Sequence, residues 1–572
     1  MKYFVLLISL LLLSACAPAT IDSTMTAPTT SDPSVGCAAG RFADPVVQAA
    51  VARATGNQNA SCQDLANLRR LSIPNTLGTV STLEDLRVAR SLDRLEANGH
   101  AISDLGPLAE LTQLRDLYLQ NNRITDLRPL ENLRALRDLR LSGNSGLTNL
   151  STLAQHTDLR QLFLGNADIS DTSFLTELTS LERLELQRNA ISDLSGLRNL
   201  SNLVRLSLFS NQISDLAPLS GLESLQFLTI GDNAITDIGP LASLSNLLEL
   251  AADSNQIEDI AALANMPLLR KLNLRRNAVS SLLPLSSAFE MVEILMEQNA
   301  VEDLLPLAGM TKLRTLMLTG NQVSDLAPLA GLTELTELNL AANAINDISP
   351  LASVTGLTEL DLERNQIAEL SPLQSLSQLR SLAIGGNPVR DYTPLASLPN
   401  LQQLRLSRSS LENFDFLQSL SSLEDLDLSV SGLADLTPLT RLDGLKRLSL
   451  NFNSISDLTP LSQLTSLSYL SLTNNAISDI TPLSSLTNLT ELALSDNQVS
   501  DLAPLANLAE LTTIFLSRNR ITSLDPLLNL PKLEAISIRD NCLDASGDDA
   551  ATLSALERRG VGFSVGEQTA CN

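Results

Sequence analysis

Apolar positions recur along this chain every 22 residues, about twenty times between roughly Leu92 and Asn541. Two copies carry the pattern: Leu114-Arg-Asp-Leu-Tyr-Leu-Gln-Asn-Asn-Arg-Ile-Thr-Asp-Leu-Arg-Pro-Leu130 and Leu489-Thr-Glu-Leu-Ala-Leu-Ser-Asp-Asn-Gln-Val-Ser-Asp-Leu-Ala-Pro-Leu505. In the first, Leu117 and Leu119 alternate with Asp116, Tyr118 and Gln120, the period of a strand with one buried face. Asn122 then marks the turn off the strand, and Ile124 and Leu127 lead back inward. The Asp-Leu-x-Pro-Leu phrase that closes the unit recurs at Asp215 to Leu219, Asp325 to Leu329, Asp457 to Leu461 and Asp501 to Leu505. Proline is tolerated at the start of a helical turn, where its missing N–H would be unbonded anyway. The segment is too short for an α-helix, so 3-10-like turns are predicted. A unit of this size cannot bury its apolar face alone, so a fixed period implies stacking. The expected fold is an α/β solenoid, a curved body with a parallel sheet on its concave side and short 3-10-like turns on its convex side.

Stacking converts sequence positions into columns about 4.8 Å apart. One column is asparagine: Asn122, Asn189, Asn211, Asn233, Asn321, Asn365, Asn453 and Asn519 among others. An amide both donates and accepts, so this column is assigned to a structural ladder bonding the backbone of its own and neighbouring turns. His100, Ala167, Ser409 and Ser431 break it, with Asn166 placed to substitute beside Ala167. A second column is acidic, running from Asp104 and Asp126 to Asp479 and Asp501. Hard oxygen ligands suit calcium, but an Asp in almost every unit is better explained by capping of the turn that follows. No metal or cofactor is therefore expected.

The outward face of the sheet is the remaining variable surface. Aromatic residues punctuate it at Tyr118, Phe163, Phe209, Phe227, Tyr469 and Phe515, and basic ones at Arg183, Arg188, Lys271, Arg275 and Arg276. Acidic clusters alternate with them, as at Glu359, Asp361 and Glu363. Exposed aromatics and arginines are common anchors of protein interfaces. Tyr118, Phe163, Arg183, Arg188, Phe209, Phe227, Arg275, Arg276, Tyr469 and Phe515 are accordingly the expected partner-binding residues.

Composition narrows the partner. With 64 Asp and Glu against 39 Lys and Arg, the formal net charge is −25. That balance opposes nucleic-acid binding, which requires a basic footprint, and adhesion to an anionic bilayer. At the N-terminus, Lys2 precedes an apolar run from Phe4 to Leu13, too short to span a bilayer and typical of a secretory signal. The Leu13-Ser14-Ala15-Cys16 sequence that follows resembles the bacterial lipoprotein signal. That resemblance implies lipidation of Cys16 after removal of residues 1–15, and Ala17 implies the outer rather than the inner membrane. The alternative is an ordinary signal cut after Ala15 or Ala17. Residues 16–36, rich in Ser, Thr and Pro, read as a flexible spacer. Membrane contact is expected through the lipid only.

Residues 37–91 read as an N-terminal cap with a degenerate first repeat, 92–541 as about 21 repeats, and 542–572 as a C-terminal cap. Helices are predicted from Asp44-Pro45 to about Arg53, from Asp64 to Arg70, and from Gly547 to Arg559. Cys37, Cys62, Cys542 and Cys571 allow three pairings, but the ends of a rigid stack lie too far apart to cross-bridge. Local pairs Cys37–Cys62 and Cys542–Cys571 are favoured in an exported chain.

The repeat residues resemble the 22-residue leucine-rich repeats of the internalin family. The resemblance implies a leucine-rich-repeat horseshoe and, on the family's pattern, a bacterial surface protein that attaches to a partner protein. No phosphate loop, His-containing metal motif or nucleophilic triad is present in the sequence, so a non-enzymatic, monomeric binding protein is expected. Adhesion or receptor-type protein binding is the first reading; a periplasm-facing scaffold or a cell-wall glycan binder is the alternative.

Overall fold

The computed structural model describes residues 36–411, 413–544, 547–566 and 568. The signal, Cys16, the spacer up to residue 35 and Cys571 lie outside the described residues. Among those described, 23 three-residue strands form one open parallel sheet, from Arg70–Ser72 to Gly562–Ser564. Each strand pairs with its successor one unit along the chain: Leu95 faces Leu117, and Leu117 faces Leu139. The central residue of nearly every strand is a Leu or Ile at 5% exposure or less, and these form one apolar column through the stack. Turns such as Arg128–Leu130, Ala217–Leu219 and Ala503–Leu505 return the chain as 3-10 helices opposite the sheet. Their prolines sit in the first turn, where a missing N–H leaves no bond unmade.

Asparagine ties one coil to the next. Asn211 Nδ2 donates to the carbonyls of Leu186 and Leu208, both at 3.0 Å, while its Oδ1 accepts from the Ile191 N–H at 3.1 Å. Asn321 makes the same three bonds with Met296, Leu318 and Val301. So do Asn122, Asn189, Asn233, Asn365, Asn453 and Asn519 with theirs. Each amide thus satisfies groups of its own coil and of the preceding one. The residue before most of these asparagines is left-handed: Asn121, Arg188, Ser210, Asp232, Arg364, Phe452 and Arg518 have φ between 55° and 57°.

The breaks are repaired in two ways. His100 takes the Asn role, accepting from the Val80 N–H through Nδ1 and bonding the Ile73 carbonyl through Nε2 at 2.8 Å. Beside Ala167 the repair comes from the next coil rather than from Asn166: Asn189 Oδ1 accepts from both the Ala167 and Ile169 N–H groups. Asn453 does the same for Ser431 and Leu433. At Ser409 no such repair is made among the described residues. Tyr392 stands where other units carry Leu or Ile before the x-Pro turn, stacks on Phe416 at 5.8 Å, and brings its phenol against Ser409. Neither the Tyr392 nor the Ser409 hydroxyl has a hydrogen bond of good geometry.

The acidic column starts the turns. Asp215, Asp325, Asp457 and Asp501 each accept through Oδ1 from the N–H two residues on, at 2.8 Å. This is an Asx-turn that caps the first N–H of the 3-10 turn.

Both ends are covered. Helix α1 (Pro45–Thr55) is capped by Asp44, and α2 (Cys62–Asn67) by a Ser61–Asp64 capping box. That box starts α2 two residues before the predicted Asp64 and ends it before Arg70, which opens the first strand. Cys37 and Cys62 form a disulfide, and the buried Asp85 carboxylate accepts from the N–H groups of Cys37, Ala43 and Asp44. At the other end α3 (Asp548–Arg558) covers the last coils. Cys542 is disulfide-bonded, and its expected partner Cys571 lies outside the described residues.

Two predictions follow from this packing. Tyr392→Leu with Ser409→Asn restores the regular ladder and is expected to raise stability by about 1–3 kcal/mol, the scale of satisfying buried polar groups. Ser409→Asn alone, beside the Tyr392 ring, should destabilise; urea denaturation of Tyr392→Leu, Ser409→Asn and the double variant measures the coupling. In the acidic column, backbone and hydroxyl donors hold Asp193, Asp347 and Asp479 below the usual carboxylate range. Asp126 is lowered to about 2, chiefly by the Arg128 side chain. Because their folded values lie below the unfolded ones, these groups stabilise the fold fully above about pH 5. That contribution is lost as pH falls through the folded values, so melting temperature should drop steeply between about pH 4 and 2. The drop should be the same with calcium or with a chelator.

Candidate binding face

Core leucines, ladder asparagines and turn aspartates are all committed to holding the stack. Side chains on the outward face of the sheet are not, and their identity changes from strand to strand. Three columns build this face, exemplified by Asp116, Tyr118 and Gln120.

The spacing of coils organises the first part of the face. Adjacent strands lie about 4.8 Å apart, close to the separation at which a guanidinium lies over an aromatic ring. Arg94 and Arg140 accordingly sandwich Tyr118, with guanidinium carbons 4.6 and 4.3 Å from the ring centre. Arg140 and Arg183 sandwich Phe163 at 4.6 and 4.9 Å. The Tyr118 hydroxyl donates to Asp138 at 2.7 Å, and Arg140 pairs with the same carboxylate at 2.8 Å. Burial and this bond push the Tyr118 phenol up to about 12. The result corrects the expectation of exposed aromatic anchors: Tyr118 is 7% exposed and Phe163 5%. Both rings belong to a stack whose accessible surface is arginine.

The other expected anchors lie differently. Phe227 and Tyr469 are half-buried beneath Arg205 and Arg447, at 3.9 and 4.1 Å. Phe515 is exposed, and Phe209 lies half-buried. Arg188 and Arg276 occupy the left-handed turn at the margin of the sheet, with φ of 57° and 52°. Arg275 pairs with Glu297 at 2.7 Å, and Arg276 bonds Gln298 at 3.2 Å.

Two features of the face were not read from the sequence. A hollow of about 610 Å³ opens where Gly165, Ser142 and Ser207 replace larger outward residues. Arg183, Arg188, Arg205, Glu185, Gln187 and Phe209 stand around it. Farther along, Glu337, Glu359 and Asp361 surround a smaller hollow of about 180 Å³. Burial raises the carboxyls of Asp361 and Glu363 above the ordinary range. The larger hollow is therefore rimmed mainly by guanidiniums and the smaller one mainly by carboxylates.

Strand register, 3-10 turns and asparagine ladder define a leucine-rich-repeat solenoid. A family model described as Leucine Rich repeats (2 copies) matches residues 112–155, 179–221, 201–243, 223–265, 293–353, 443–485, 465–507 and 487–527. No curated protein matches the chain. Among solved structures, the plant peptide hormone receptor RGFR1 in complex with RGF2 is 21% identical, with 86% of this chain and 89% of that one covered and a TM-score of 0.61. A leucine-rich-repeat protein of Leptospira interrogans is 23% identical over 73% of this chain and 98% of its own, with a TM-score of 0.54. An internalin of Listeria monocytogenes is 26% identical over 76% and 96%, but its TM-score is 0.37. The first two likenesses bear on the fold alone, and the third carries no argument. Among the described residues, no helix is long and apolar enough to cross a membrane.

Arg140 is the centre of the stack, so Arg140→Gln should uncover two rings and leave Asp138 with fewer donors. Urea denaturation is expected to register a loss of about 1–3 kcal/mol. Arg140→Lys, which keeps the charge but not the planar contact, should recover only part of it. Equal stability of all three proteins would refute the stack's structural role.

Proposed function

We propose that this is a non-enzymatic binding protein of a bacterial envelope, lipid-anchored through Cys16 at the outer membrane. It engages a partner protein or peptide on the outward face of its sheet. The observation that carries the reading is the segregation of charge on a face that the fold itself leaves free. Arg183, Arg188 and Arg205 gather around the hollow at Gly165, whereas Glu337, Glu359 and Asp361 gather around the smaller hollow farther along the sheet. A surface patterned in this way selects a partner of complementary potential and steers its approach. The net charge of −25 argues against nucleic acid as that partner.

Photo-crosslinking side chains at Ser207 and Ser449 would probe the outward face, and one at Ser484 the opposite turns. In cells, protein adducts are expected from the first two and not from the third. Adducts formed equally at Ser484 would overturn the assignment of the face. Protease digestion of intact cells would support adhesion or receptor binding. Protection until the outer layer is permeabilised would redirect the search to partners within the envelope.

A further inference from the structure

The hollow around Gly165 has chemistry that the rest of the face lacks. Three guanidiniums line it, from Arg183, Arg188 and Arg205, against the single carboxylate of Glu185. Glu185 is already engaged, accepting from Arg183 Nε at 2.9 Å. Among the described residues, Arg188 and Arg205 have no carboxylate within 4.0 Å. The Arg205 guanidinium is instead fixed over the Phe227 ring at 3.9 Å. Two uncompensated cations thus border one hollow of a strongly acidic chain, and one of them is held in place by an aromatic platform.

The floor adds a second requirement. Gly165 leaves room that Gln187 leans into: a β-carbon there would stand 2.8 Å from the Gln187 amide. The Gln187 Oε1 is buried and has no hydrogen-bond partner. An unpaired buried acceptor opposes folding, and turning the Gln187 amide over would present its oxygen to an N–H entering the hollow. Phe209 supplies an apolar wall beside it. The volume, about 610 Å³, lies within the range typical of ligand pockets, roughly 300–1,000 Å³.

Resting on the outward-face reading above, we propose that this hollow is a subsite for an acidic side chain of an extended peptide segment. The Asp or Glu carboxylate bonds Arg188 and Arg205, a neighbouring main-chain N–H bonds Gln187 Oε1, and an apolar residue packs on Phe209. A single carboxylate on a peptide suits the site better than a polyanion, which the chain's overall charge repels at long range.

The test uses the detergent-solubilised full chain and a phage library of random 12-residue peptides whose C-termini are blocked by fusion. Selected peptides are expected to be enriched in Asp or Glu next to apolar residues. Synthesised with acetyl and amide ends, they should bind Arg188→Gln/Arg205→Gln about 10- to 100-fold more weakly, the scale of charge-assisted hydrogen bonds. Changing the peptide's Asp to Asn, or Glu to Gln, should erase the difference between the two proteins. Gln187→Leu should also weaken binding, while its melting temperature holds or rises because an unsatisfied acceptor is gone. A merely structural role for Gln187 would lower both together. Selection of non-acidic peptides, or of none, overturns the subsite, as does equal binding by the double arginine variant at unchanged melting temperature. Those results leave crosslinking at Ser449 free to support the face by itself. A neutral peptide with a free C-terminal carboxylate that binds with the same arginine dependence would overturn the side-chain assignment in favour of a terminal carboxylate.

Discussion

Each coil of this solenoid ends in a turn whose backbone groups it cannot satisfy alone. The amide of the following coil reaches back to do so, as Asn211 does for Leu186 and Ile191. Without that link, several buried polar groups per coil would stand unpaired, each costing about 1–3 kcal/mol. The ladder also fixes register, because the amide reaches its partners only if the coil spacing stays constant. Leucine packing supplies the driving force; the amides determine that the coils stack in one way.

Constant spacing governs the outward face as well. It places each outward side chain one strand spacing from its column neighbours, so chemically matched neighbours must interact. Arg140 between Tyr118 and Phe163 is such a case. The pairing withdraws rings from the surface and offers guanidiniums in their place. Where Gly165 interrupts the columns, the same regularity leaves a vacancy bordered by Arg188 and Arg205, which have no carboxylate partner among the described residues. Structural and recognition roles are therefore divided by column, and the division blurs only where an aromatic residue meets an arginine.

The solenoid, its strands and its turns were legible because a 22-residue period repeats enough times to outweigh local irregularity. The helix start at Asp44 was legible from local chemistry as well. Other features depend on residues distant in sequence, where a single-unit reading has no signal. Asp85 gathers three N–H groups more than forty residues away. The burial of Tyr118 requires Arg94 and Arg140 from flanking coils, and aligning the units as columns would have set them side by side. The Ser409 irregularity is visible only beside Tyr392, whose phenol lies against it from the preceding coil. The hollow could be suspected from Gly165 between larger residues, but its unpaired acceptor could not.

The ladder's direction has a consequence for how the chain matures. Every amide reaches toward lower residue numbers, so a coil is finished only when the one after it has arrived. A chain delivered amino end first through a membrane pore would close its coils in order of emergence, always one behind the newest. The N-terminal disulfide and the Asp85 clasp would then form a completed seed on which the later coils accumulate. Growth of this kind resembles the lengthening of a filament from a fixed nucleus more than the collapse of a globule, and it leaves at any moment just one open coil for a chaperone to guard.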